Sequence, residues 1–241
     1  MGIKAEDLMK HFKEHESFTT SDIHDFFADQ EPDIKRATVN WRIYDLVRKG
    51  VLKRIGRGIY TIGNKKNFIP VQHTGQQEIS SLIKKEFPLI NFCLWHSSLL
   101  NQFYHHIVAH DFMVVETERD VVDAVYYNLK DSYNNIFREP SRQVMEDFVF
   151  ENSDSVIVKH LISEAPLQTV DLFQVPTIEK LLVDFLSDTN IFFFLQGMEL
   201  VNVFKNVMES YTVNMDRLKR YARRRNREYE VKEIIGQAKE L

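Results

Sequence analysis

The chain has 241 residues, with 31 Lys/Arg against 35 Asp/Glu for a formal net charge of −4 and 44% apolar residues. That length allows two domains or one large one with a real core, and 18 Phe with 9 Tyr argue for globular packing and against disorder. The single cysteine, Cys93, excludes an intramolecular disulfide and predicts a reducing compartment.

The first elements in chain order are two short helices, predicted over Ile3–His15 and Ser21–Phe27. Thr20 or Ser21 is the expected N-cap of the second. A third helix runs to Lys49 and stops at Gly50, where a left-handed C-terminal residue is needed. Val39, Ile43, Leu46 and Val47 recur at helical spacing and form its apolar stripe. Lys35, Thr38 and Arg42 take the opposite face, with Arg36, Asn40 and Trp41 at its edges. Trp41 has a second reading, as a ring packed beneath the helix. A strand over Val51–Ile55 then turns at Gly56-Arg57-Gly58 and returns as Ile59–Ile62. Both glycines tolerate positive φ, so Arg57 projects from the hairpin tip.

Three helices followed by a hairpin predict a winged helix-turn-helix, with its third helix entering a DNA groove. The residues expected at that interface are Lys35, Arg36, Thr38, Asn40, Trp41 and Arg42 on the helix, with Arg54 and Arg57 on the wing. Charge agrees locally. Residues 1–70 hold 13 Lys/Arg and 10 Asp/Glu, whereas the other 171 hold 18 and 25. From Lys35 to Lys66 there are 10 basic residues and one acid, Asp45. Phosphate contacts dominate nucleic-acid affinity, so this dense patch outweighs the whole-chain balance.

A polar connector containing Asn64-Lys65-Lys66-Asn67 and Pro70 leads to the second part. Apolar runs of strand length are Phe92–Trp95, Phe112–Glu116, Ser155–Leu161 and Gln168–Val175. Helical periodicity separates them at Ser97–Val108, Arg119–Lys130 and Ser141–Phe148. After Pro176 the pattern is helical: Thr177–Ser187, Ile191–Ser210, Asn214–Asn226 and a last segment ending near Leu241. The expected fold class is α+β. An N-terminal winged helix-turn-helix over 1–64 and a linker over 65–75 precede a mixed α/β domain over 76–241 with a C-terminal helical cluster. The longest apolar run, Ile191–Leu195, is too short to span a bilayer, and no signal pattern precedes the first helix. A soluble cytoplasmic protein with no membrane partner is expected.

The residue patterns do not point to catalysis or a cofactor. Six of the eight glycines lie at or before Gly75, so nothing later can cradle a nucleotide phosphate. A restriction-type nuclease needs an acid-x-Lys pair, and Ile157 stands where that acid should precede Lys159, with Asp154 further upstream. His105, His106 and His110, with His96 and Cys93 nearby, lack a second closely spaced ligand pair for zinc. His96-Ser97-Ser98 reads as an N-cap. Arg220, Arg223, Arg224 and Arg225 belong to a basic run from Arg217 to Arg227. That run is either a second phosphate-binding surface or a face paired with the acids of its own domain.

The run T-V-N-W-R-I-Y-D-L-V-R-K-G-V-L-K-R-I-G-R-G-I-Y, Thr38 to Tyr60, resembles the N-terminal domain of AbiEi-type antitoxins. Val175–Leu186, V-P-T-I-E-K-L-L-V-D-F-L, is similar to a strand-then-helix motif of that family's C-terminal domain, departing at Thr177-Ile178. Leu94–His106 is a third, weaker similarity. The resemblance implies a transcriptional repressor of its own operon, binding double-stranded operator DNA. It also implies antitoxin activity in a type IV toxin–antitoxin (abortive infection) pair, beside a nucleotidyltransferase toxin. The alternative is a winged-helix regulator whose C-terminal domain senses a ligand or joins a defence complex without a toxin.

Overall fold

A computed structural model describes residues 5–63, 66–103 and 111–241, and the chain forms a mixed α/β fold in two compact units. Residues 1–67 and Met208–Leu218 make the first unit; Phe68–Val207 and Lys219–Leu241 make the second. No described helix is long and apolar enough to cross a membrane.

The first unit contains α1 (Ala5–His11), β1 (Phe18–Thr19), α2 (Thr20–Ala28), α3 (Arg36–Arg48), β2 (Leu52–Gly56) and β3 (Ile59–Ile62). Strand β1 was not expected. It pairs antiparallel with β3, which also pairs with β2, in the order β1-β3-β2. That pairing moves the N-cap of α2 to Thr19. Thr19 accepts from the Asp22 backbone N–H at 3.2 Å, while Asp22 accepts from the Thr19 N–H at 2.7 Å, a reciprocal capping box. Phe12, Phe18, Ile23, Phe27, Val39, Ile43, Leu46, Leu52 and Tyr60 are buried in one cluster. Helical spacing on α3 and alternation on the strands thus converge on the same core.

Helix α3 ends as its sequence requires. Gly50 has φ +73°, the Val51 N–H reaches the Leu46 carbonyl at 3.0 Å, and the Gly50 N–H reaches Val47 at 3.0 Å. These two bonds are a Schellman motif, which satisfies carbonyls that the helix end would leave orphaned. At the hairpin only Gly58, at φ +70°, takes the left-handed region; Gly56 is the last residue of β2. Just after the hairpin, Gly63 crosses the Gly50 carbonyl so closely that a Cβ there would lie 1.8 Å from the oxygen. The later segment is held by a Lys66–Tyr211 bridge and by the Arg57 N–H, which donates to Asp216 Oδ2 at 2.5 Å.

The second unit is built on a four-stranded sheet, order β4-β5-β7-β6. Its strands are β4 (Phe92–His96), β5 (Phe112–Thr117), β6 (Ile136–Arg138) and β7 (Ser155–His160). β4 runs antiparallel to β5; β5, β7 and β6 are parallel. Helices α4 (Gly75–Glu86) and α5 (Val122–Lys130) cover one face, packing Ile79, Ile83, Val125 and Leu129 on Leu94, Met113, Val115, Val156 and Val158. The alternate residues Cys93, Trp95, Val114, Glu116, Ile157 and Lys159 are also buried, on the other face.

Between β6 and β7 the expected helix at Ser141–Phe148 is a short α6 (Arg142–Val144) running into a π-helical turn, Met145–Val149. The expected strand at Gln168–Val175 is instead a hairpin, β8 (Leu167–Val170) and β9 (Phe173–Pro176). Asp171, at φ 51°, turns the chain in the middle of the run. The remaining helices are α7 (Ile178–Ser187), α8 (Met198–Ser210), α9 (Met215–Arg224) and α10 (Glu228–Glu240). The long helix expected from Ile191 is broken at Gly197, φ +64°, after a 3₁₀ turn at Phe193–Leu195. The helix expected at Ser97–Val108 begins as a 3₁₀ turn, Ser97–Gln102, and its later part falls outside the described residues.

Candidate functional site

The first unit's candidate surface is the outward face of α3. Lys35 and Arg36 open the helix. No side chain caps it and no acid stands in its first turn. Two cations at the positive end of a helix dipole oppose local stability, each by a few tenths of a kcal/mol. Lys35, Arg36, Thr38 and Asn40 are all exposed. Trp41 is not beneath the helix: 66% of it is exposed, and Tyr44 is 67% exposed one turn on. Arg42, expected on the open face, is turned the other way. Its guanidinium is paired with Glu31 at 3.0 Å and stacks 4.9 Å from the Phe27 ring. Helix phase explains the exchange, since Arg42 neighbours the buried Ile43 and Val39 side and Trp41 lies opposite.

Arg54 and Arg57 lie on the hairpin and are exposed; the Arg54 Nε donates to the Gly56 carbonyl at 3.0 Å. Among the described residues no carboxylate pairs with the side chains of Lys35, Arg36, Arg54 or Arg57. Between α2 and α3 lies a cavity of about 480 Å³ lined by Thr20, Ser21, His24, Asp25, Arg36 and Asn40. Arg36 and Asn40 therefore border a concave, polar surface as well as the open helix face.

The second unit contains a feature the sequence reading missed, a buried cluster of ions on the sheet face opposite α4 and α5. Glu116 of β5 accepts from Lys180 Nζ at 2.6 and 2.8 Å and from the Trp95 indole N–H at 3.0 Å. Lys180 also donates to Asp184, one turn on along α7, at 2.5 Å. Asp184 accepts from the Tyr221 hydroxyl at 2.8 Å. Lys159 of β7 is bonded to Asp188 and lies 3.9 Å from Glu116. Arg225 closes the group, 2.6 Å from Asp188 and 3.6 Å from Asp184. Three acids face three bases, so the group is neutral as a whole.

Register explains how these residues meet. Glu116 and Lys159 are direct cross-strand partners on parallel β5 and β7, and Cys93 is the partner of Glu116 on β4. Burial by itself would raise Glu116, but Lys180 and Lys159 overcome it and hold the carboxyl below its usual range. Burial likewise opposes charge on Asp188, yet Lys159 and Arg225 bring it down to about 2. Burial pushes the Cys93 thiol well up, and Glu116 adds to that, so Cys93 is an unreactive thiol.

The basic run at 217–227 separates under this geometry. Arg225, expected on an exposed phosphate-binding face, belongs instead to the buried cluster. Arg223 pairs with Glu228 at 2.7 Å, Arg227 with Glu230 at 2.8 Å, and Arg224 contacts Ser163. Arg220 is exposed. Asp154, weighed as a nuclease acid with Lys159, sits before β7 and accepts from Asn135 at 2.8 Å, at the opposite end of the strand from Lys159. His96 caps the 3₁₀ turn by accepting from the Ser98 N–H at 3.2 Å and stacks on His73 with ring centres 3.9 Å apart. Burial, with His73 beside it, lowers its pKa to about 4. His105, His106 and His110 lie outside the described residues. Among the described residues no group of three His, Cys, Asp or Glu is placed to hold a metal ion.

At the carboxyl ends of β6 and β7 a cleft of about 210 Å³ is lined by Glu139, Lys159, His160, Asp188, Thr189 and Asn190. Glu139 sits at φ 40° and holds His160 at 2.5 Å. Open α/β sheets bind ligands at this edge.

The fold and its surfaces define a two-unit α/β protein with two exposed cations, Lys35 and Arg36, at the start of a helix in one unit and an ion-paired core in the other. The chain belongs to a family of unknown function, DUF6577, whose profile matches residues 38–240. The match starts at Thr38 within α3, so it takes in the hairpin and the second unit as far as Glu240. Among curated proteins none matches.

Proposed function

We propose that the chain binds double-stranded DNA in a sequence-directed way and regulates transcription, with the first unit a winged helix-turn-helix whose α3 enters the major groove. The observation that carries this reading is the start of α3. Lys35 and Arg36 are placed without cap or acid at the positive end of the helix, against the local preference of the fold. An arrangement that costs stability and presents backbone N–H groups beside two cations suits a phosphate. Asn40 and Thr38 follow along the helix as candidate base readers, and the hairpin adds Arg54 and Arg57. The reading is of a protein without catalytic activity.

Selection from randomised duplexes with the full chain, followed by anisotropy titrations, tests it. Arg57→Ala should weaken all duplexes alike and lower the salt slope by about one unit. Asn40→Ala should cost about 1–3 kcal/mol and relax one position. Failure to enrich any duplex refutes the proposal.

The resemblance to AbiEi-type antitoxins extends the proposal to autorepression and to antitoxin activity against a nucleotidyltransferase encoded alongside. The neighbouring gene tests that extension. A second reading, a regulator whose second unit senses a ligand or joins a defence complex without a toxin, is favoured by the cleft at the ends of β6 and β7.

A further inference from the structure

We infer that the DNA recognised by this chain is read chiefly through thymine methyl groups, by an apolar stripe of α3 centred on Trp41. The inference rests on the DNA-binding reading above and adds the chemistry that the helix selects.

The stripe follows from helix phase. Ala37, Trp41, Tyr44 and Arg48 stand at i, i+4, i+7 and i+11, directly opposite the buried Val39, Ile43 and Leu46. All four are exposed, and the two rings are about two-thirds exposed each. An isolated exposed aromatic is ordinary, but two at adjacent turns along the centre of one helix face form a continuous apolar strip. Charge complementarity selects the occupant. Lys35 and Arg36 lie at the start of the strip and are unpaired with any described carboxylate, while Asp45 near its far end is held by Arg48 at 3.0 Å and Lys49 at 2.6 Å. The strip's N-terminal two turns are thus apolar in the middle and cationic at the entrance, as an anionic partner with an apolar floor requires.

A duplex major groove presents only one apolar group, the C5-methyl of thymine; the other edges are donors and acceptors. The 13-residue α3 is about 20 Å long, so its first two turns reach several successive base pairs. Ala37, the Thr38 methyl, Trp41 and Tyr44 all offer carbon to that methyl. Arg42 would have supplied a polar, guanine-directed contact, but Glu31 and Phe27 hold it back. With Arg42 withdrawn, Asn40, a natural partner for adenine, is the amide reader on the open face, one turn before Tyr44. Both selections point to A·T pairs.

The test uses the full chain and the duplexes it enriches from a randomised pool, resynthesised with deoxyuridine in place of each thymine in turn. Removing a contacted methyl should weaken binding about fourfold, the effect of exposing one CH₂-sized group. Trp41→Ala should abolish that sensitivity while leaving the salt slope and the melting temperature unchanged, and Trp41→Phe should keep part of it. Equal affinity for thymine and uracil duplexes, or full uracil sensitivity retained in Trp41→Ala, overturns the inference while duplex binding stands. Tighter binding to single strands than to duplex overturns it too, because the rings would then be a stacking platform. A chain that enriches no duplex at all sinks the DNA-binding reading and this inference with it.

Discussion

Replacing Lys180 by Met should destabilise the second unit by about 3–5 kcal/mol near neutral pH, the cost of breaking a buried ion pair from one side. Lys180 is fully buried and is the contact shared by Glu116 and Asp184. Without it a neutral group of six becomes a buried excess of one negative charge. Burial then dominates Glu116, and its pKa rises above the unfolded value. A group whose folded pKa is raised contributes stability below the unfolded pKa and loses it as pH rises through the folded one. The deficit should therefore be larger at pH 8 than at pH 5, by about 1–2 kcal/mol. Adding Glu116→Gln should return about 2 kcal/mol, since neighbouring effects are not additive. The chain has two tryptophans, so a Trp41→Phe background leaves Trp95, bonded to Glu116, as the only indole reporting urea unfolding. A deficit below about 1 kcal/mol, or one that does not change with pH, would show that the cluster is hydrated or rearranges, and the reasoning would fail.

Three further outcomes follow from the same geometry. Gly63→Ala should unfold or strongly destabilise the first unit, because the added carbon meets the Gly50 carbonyl at 1.8 Å; a circular dichroism melt unchanged from the parent would refute the close approach. Arg225→Ala should cost about 3 kcal/mol by leaving Asp188 and Asp184 short of a partner, while Arg223→Ala leaves the melting temperature within the scatter of surface changes; equal effects would contradict their different placements. His96, lowered to about 4 by burial and by His73, contributes stability that is complete above pH 6.5 and is lost as pH falls toward 4, about 3 kcal/mol in all. His96→Asn keeps a cap acceptor and should flatten stability between about pH 6.5 and 5, the part of that window above the range where ordinary carboxylates titrate.

What the sequence made legible was written in short-range signals. Gly50 after a helical stripe and Gly58 in a hairpin need particular φ values, and those needs are local, so α3, β2 and β3 lie close to where the residues put them. The apolar runs of β4, β5 and β7 are legible for the same reason. β1 was hidden because two residues acquire strand geometry only by pairing with Tyr60 and Ile59. The ion cluster was hidden more deeply. Glu116 and Lys180 are 64 residues apart, and only the β5–β7 register and the docking of α7 bring them together. A faint signal was present: single charges inside the apolar runs M-V-V-E-T, V-I-V-K-H and L-L-V-D-F-L. Trp41 and Arg42 exchanged places because a helix stripe fixes which side is buried more sharply than it fixes which flanking residue a distant acid such as Glu31 will capture.

The dense arginine run at 217–227 is in part ion-paired within its own domain. Arg223, Arg225 and Arg227 each have a carboxylate within 3.6 Å, and a phosphate would have to displace that partner before gaining anything. The side chains of Lys35 and Arg36 have no such competitor among the described residues, whereas at the hairpin the Asp216 carboxylate is bonded to the Arg57 N–H and leaves its guanidinium unpaired. A free cation on a fixed element binds phosphate with little reorganisation, whereas a paired one exchanges one anion for another at nearly equal free energy. The same count of positive charges thus supports opposite assignments in the two units. The cations at the start of α3 and on its hairpin carry the proposed DNA contact, and Arg225, beyond Tyr221, helps hold the second unit together.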